Sequence, residues 1–122
     1  MGILWPIFFG NSNPVSVLLG ECLPVDLRHS FPDHEVHTSE WAGLKGKQNG
    51  ELLRAAETAG YQVMITVDRG VPHQRPKESR LAIILLRSQT NQLEDLWPLV
   101  DRTAATLMTI HPGETIIVSA DA

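Results

Sequence analysis

The sequence predicts an α/β domain built on a mostly parallel sheet of about five strands. Short apolar runs rich in Val, Ile and Leu recur at 15–19, 61–67, 81–86 and 115–118, the pattern of strands covered on both faces. Stretches of helical periodicity fall between them, and strands alternating with helices imply βαβ units. Turn signals at Phe31-Pro32-Asp33, Gly60 and His111-Pro112-Gly113 punctuate the alternation. Right-handed crossovers then place helices on both faces of the sheet.

Taken in order, Val15-Ser16-Val17-Leu18-Leu19 is the first strand and runs into Gly20-Glu21. Pro24 suits the first turn of a short helix, where its missing N–H costs nothing. Leu23, Leu27 and Phe31 give that helix an apolar stripe. Glu35 to Thr38 reads as a short second strand, and Ser39 to Gln48 as a loop or broken helix anchored by Trp41 and Leu44. Asn49 is a good N-cap for the helix that follows, in which Leu52, Leu53 and Ala56 face one way. Gly60 closes it as a C′ glycine. Tyr61 to Val67 reads as a central strand, Arg69 to Lys77 as a loop and Leu81 to Leu86 as a third buried strand. Asn91 and Glu94 resemble a capping box for a helix carrying Leu93, Leu96, Trp97, Val100, Ala104, Leu107 and Met108 on one face. Pro98 lies too deep for a first turn and predicts a kink or a restart. Thr115 to Val118 is the last strand.

A chain of 122 residues fits one domain. Residues 1–14 stand apart as an N-terminal extension, and 15–122 form the domain. Ile3-Leu4-Trp5 and Ile7-Phe8-Phe9 are apolar but split by Pro6, without the basic start or cleavage pattern of a signal peptide. The extension is either loosely attached or an arm that packs on a second subunit of a homodimer. The net charge of -4 argues against a surface built for non-specific nucleic-acid binding. RNA handled at a small site with metal help stays open. Cys22 is alone, which excludes an intramolecular disulfide and a multi-cysteine metal site and fits a reducing cytoplasm. No apolar run approaches the roughly 20 residues that span a bilayer, so no membrane association is expected.

Glu21 and Asp68 carry the chemistry. Each follows an apolar strand, and ligands of open α/β sheets bind past the carboxyl ends of the strands. If the two strands are neighbours, the carboxylates converge, and crowded carboxylates repel unless a cation sits between them. Mg²⁺ is the natural guest, because it takes oxygen ligands and often uses one or two carboxylates plus substrate phosphates. Glu51, in the first turn of its helix, is a third candidate acid. Each also has a plainer role at hand: helix-dipole charges for Glu21 and Glu51, a turn or cap for Asp68. Lys45, Lys47, Arg69, Arg75 and Lys77 form either a basic rim or solvated loop charges. His34 and His37 lie three apart, which in a strand puts them on opposite faces, and they read as surface histidines. Cys22 reads as a small buried residue. There is no Walker A motif and no G-x-G-x-x-G.

The order LLGECLP, FPDHEVHT, WAGLK, NGELLRAAETAGYQVMITVDR, LAIILLR and NQLEDLWPLV resembles a PIN-like family of small bacterial proteins, often labelled as nucleases or toxin components of toxin–antitoxin systems. The resemblance runs from about Val15 to Val118. It implies a three-layer α/β/α sandwich in which acids at strand ends bind Mg²⁺ or Mn²⁺ for RNA cleavage. Glu21 matches the Glu of the family's Asp-Glu, and Gly20 stands at the Asp. Asn49 stands where many relatives begin the helix with Asp. Thr66-Val67-Asp68 matches T-x-D, Arg69 fits the basic residue after it, and Gly70 stands where a second Asp often follows. The resemblance therefore implies Glu21 and Asp68 as metal ligands, Glu51 as a third catalytic acid, and Arg69 and Asn49 toward the substrate, where Lys47 of the basic rim is also expected. Two functions stay open: a metal-dependent ribonuclease, as a toxin with an antitoxin partner, or a degraded module that binds a protein partner or dimerises.

Overall fold

The structure, a computed structural model, describes residues 14–120; the apolar N-terminal arm lies outside the described residues, Pro14 excepted. The strands are β1 (Ser16–Leu19), β2 (Glu35–Thr38), β3 (Val63–Thr66), β4 (Ala82–Arg87) and β5 (Thr115–Ser119). A 3₁₀ helix (Val25–Ser30) follows β1, α1 (Asn49–Thr58) follows β2, α2 (Val71–Gln74) follows β3 and α3 (Leu93–Leu107) follows β4. The five strands make one sheet in the order β2-β1-β3-β4-β5, with every neighbouring pair parallel.

Side chains alternate across each strand. Val17, Leu19, Val63, Ile65, Ala82, Ile84 and Leu86 pack on one face with Leu27 of the 3₁₀ helix and Leu96, Leu99 and Leu107 of α3. Leu18, Met64 and Ile83 pack on the other with Leu53 and Ala56 of α1 and Val71 of α2. Helices thus cover both faces, which is why β3 and β4 read as unbroken apolar runs. Each fully buried Leu or Ile contributes about 1.5–3 kcal/mol.

The crossovers differ from expectation at one place. From β1 the chain steps to one edge over the first face. From β2 and from β3 it steps the other way over the second face. From β4 to β5 it also steps that way, but α3 lies on the first face, beside the 3₁₀ helix. Three crossovers therefore share one hand, and β4–α3–β5 has the opposite hand, against the strong general preference for right-handed connections.

Several local expectations are corrected. α1 begins at Asn49, and the cap position belongs to Gln48, whose backbone is extended and whose side chain makes no capping bond. Asn91 and Glu94 form no capping box: Gln92 holds the cap position, its N–H donates to Thr90 Oγ1, and Asn91 Nδ2 donates instead to Cys22 O at 2.7 Å. α3 runs through Pro98 without a restart. It buries Leu96, Leu99, Thr103 and Leu107, leaving Trp97 and Met108 exposed. Leu96, Leu99 and Leu107 share one core cluster with Ile84 and Leu86 of β4 and Val118 of β5, and Thr103 donates its buried hydroxyl to Leu99 O. The segment from Arg69 to Lys77 is not all loop, since it contains α2. Leu44 is buried as an anchor, but Trp41 is 70% exposed. Cys22 is exposed rather than buried.

Candidate functional site

At the carboxyl ends of β1 and β3 the chain leaves in opposite directions. After β1 it goes to the 3₁₀ helix on one face, and after β3 to α2 on the other. β1 and β3 are neighbours, in register from Val17↔Val63 to Leu19↔Ile65. This is a topological switch point, where diverging loops open a crevice for a ligand, in the 2-1-3-4-5 strand order typical of one doubly wound class. The crevice here is a cleft of about 240 Å³ whose lining includes Glu21, Asp68, Lys47, Gln48, Thr66 and Gln74.

Both sequence-predicted acids line this cleft. Glu21 is exposed, and its Oε2 accepts the Gly46 N–H at 2.9 Å. Gly46 belongs to the 39–48 loop, which Ser39 ties to the sheet by donating its buried hydroxyl to Leu19 O. Asp68 is exposed as well, and its Oδ1 accepts the Gly70 N–H at 2.8 Å, closing an Asx turn. Its own N–H donates to Thr66 Oγ1. One oxygen of each carboxylate is thus held by backbone, and the other is turned to no partner among the described residues.

Glu51 does not line this cleft. It is exposed, with its carboxylate 3.6 Å from Lys47 Nζ. Among the described residues no group of three or more His, Cys, Asp and Glu side chains is placed to hold a metal ion. The two glycines that stand where the resemblance implies acids are closely packed. A Cβ on Gly20 would lie 3.3 Å from Thr66 Oγ1, and one on Gly70 would lie 3.3 Å from Asp68 Oδ1.

The predicted basic rim divides. Lys47 lines the cleft and Lys45 an adjoining hollow with Glu21. Arg75 is withdrawn from the rim: it is half-buried and donates to Leu81 O at 2.9 Å, bracing the loop. Arg69 lines a separate hollow of about 720 Å³ together with Arg87 and Ser88. Arg87 was not legible as a site residue, although an arginine ending an apolar strand is a usable signal. The surface histidines are also corrected. His34 is half-buried and its Nδ1 accepts the Val15 N–H at 2.9 Å. Burial pushes its pKa down, against the pull of Asp33. His37 is hydrogen-bonded to the Tyr61 hydroxyl, whose pKa is raised by burial and then by Glu35.

Fold and site together define an open parallel α/β domain with an acidic switch-point cleft. No family model matches the chain, and no curated protein or solved structure does. No helix among the described residues is long and apolar enough to cross a membrane.

Proposed function

We propose that this protein is a PIN-like, Mg²⁺- or Mn²⁺-dependent ribonuclease working with a reduced pair of acids. The convergence of Glu21 and Asp68 on one cleft carries the reading. Their donor set fits the ion: two hard carboxylates, with the rest of the shell left to water and to substrate phosphate, is an ordinary arrangement for Mg²⁺. When bound, the ion neutralises charge on the phosphodiester and activates water. The chain's own residues do the rest. The Gly46 and Gly70 N–H groups hold the two carboxylates in place. Lys47 draws the scissile phosphate into the cleft, and Arg69 with Arg87 holds the backbone beside it. A toxin role with an antitoxin partner rests on the resemblance alone, and growth arrest on expression tests it.

That no third acid joins Glu21 and Asp68 among the described residues favours a second reading, a non-catalytic module that works by binding a protein partner. One assay separates the two. Wild-type protein with Mg²⁺ or Mn²⁺ is expected to cleave single-stranded RNA, and Glu21→Gln with Asp68→Asn to reduce cleavage to background. Identical behaviour of wild type and double variant sinks the ribonuclease and leaves the module.

A further inference from the structure

We propose that the open face of Trp41 is a stacking platform for one base of a single-stranded RNA lying across the acid cleft; this rests on the ribonuclease reading and names its substrate as unpaired RNA. Trp41 is 70% exposed yet held in place. Its backbone N–H donates to Thr38 Oγ1 at 3.1 Å. Its ring stacks on His37 at 3.9 Å between centroids and 30° between planes. His37 is fixed in turn by the hydroxyl of the buried Tyr61, 2.9 Å from its Nδ1. The imidazole can back only one face of the indole, so the exposed area lies on the other.

The ring borders a groove of about 400 Å³ lined by Val25, Arg28, His37 and Glu40, among others. The groove shares Val25, Thr38 and Glu40 with the next hollow, and that hollow shares Gly20 and Glu21 with the acid cleft. The three hollows therefore adjoin in order, from Trp41 past Lys45 to Glu21 and Asp68.

Chemistry along the path selects the occupant. A stable protein interface needs about 800 Å² per partner with an apolar centre. Here two exposed apolar side chains, Val25 and Trp41, stand among Arg28, Glu40 and Lys45. A planar ring with cations spaced beyond it suits a base followed by phosphates. Unpaired bases stack on aromatic side chains, whereas a duplex keeps its bases inside.

The test uses the full chain and fluorescence anisotropy with a labelled oligoadenylate RNA and an abasic strand of equal length. Trp41→Ala is expected to weaken RNA binding about tenfold to a hundredfold, to leave abasic-strand binding unchanged, and to be rescued by Trp41→Phe. Equal RNA affinity of wild type and Trp41→Ala overturns the platform and leaves the acid-pair reading standing. A Trp41-dependent affinity that persists in a Glu21→Gln, Asp68→Asn variant unable to cleave supports the platform. The same affinity with no cleavage by the wild type removes the ribonuclease reading alone. Dimerisation lost in Trp41→Ala with RNA binding intact assigns the groove to a second copy and overturns the proposal.

Discussion

Glu21 owes its position to Gly46, and Gly46 sits at φ 91°, a conformation that costs a residue with a Cβ about 1–2 kcal/mol. Gly46→Ala is expected to lose about that much stability in urea and to weaken metal binding with it, since the N–H that steadies Glu21 moves. His34 ties the start of β1 to the turn before β2 through its Nδ1, which must be unprotonated to accept the Val15 N–H. Its folded-state pKa lies below the ordinary 6.5, so the unfolded chain takes up the proton first. The stabilisation is whole above 6.5, drains as pH falls below it, and levels off once the folded imidazole is also protonated. A urea midpoint that drops between about pH 7.5 and pH 5, with a smaller drop in His34→Asn, is the expected result. An equal drop in both proteins would place the titration elsewhere.

α3 carries the clearest contrast between apolar residues that pack and apolar residues that do not. Leu99 is 1% exposed against the sheet, while Trp97 is 54% exposed two positions away. Leu99→Ala is expected to cost about 2–5 kcal/mol, and Trp97→Ala to stay within about 0.5 kcal/mol. Pro98 lies in the sixth position of the helix and denies Glu94 O an intrahelical partner. Because the ring is exposed and fills no core space, Pro98→Ala is expected to raise stability by up to about 3 kcal/mol. Thermal and urea unfolding of the three variants measures all of these. A destabilised Pro98→Ala would show that the proline holds α3 in its packed course.

At the scale of the molecule, the two hollows past the carboxyl edge arise from where the chain leaves the sheet. Divergence after β1 and β3 opens the acid cleft. The opposite-handed β4–α3–β5 crossover sends the chain after β4 to the other face from the chain after β3, and Arg69 and Arg87 meet in the hollow there. On the proposed reading, an ion held by two carboxylates keeps positions in its shell that a substrate phosphate can take from water, so metal and RNA are expected to bind cooperatively. Linkage requires each to tighten the other by the same factor. Calorimetric Mg²⁺ titration with and without a phosphorothioate RNA is expected to show tighter metal binding in its presence, lost in Asp68→Asn. Metal affinity indifferent to RNA would separate the acids from any phosphodiester.

The strands, the turn glycine at 60 and the two acids that follow β1 and β3 are legible in the amino-acid order alone. These are local matters: a buried strand needs an unbroken apolar run, and its end needs a polar residue where the chain re-enters water. Glu35 to Thr38 agrees in its bounds as well, although it is neither an unbroken apolar run nor buried. Packing in the folded chain makes β1 and β3 neighbours, so that Glu21 and Asp68 line one cleft. It also decides which side of the sheet α3 covers, that Trp41 turns outward onto His37, and that Arg87 joins Arg69. The Trp41–His37 contact is local; the others depend on pairing and packing between residues far apart in the chain, and one-dimensional periodicity records which residues must be buried without recording against what.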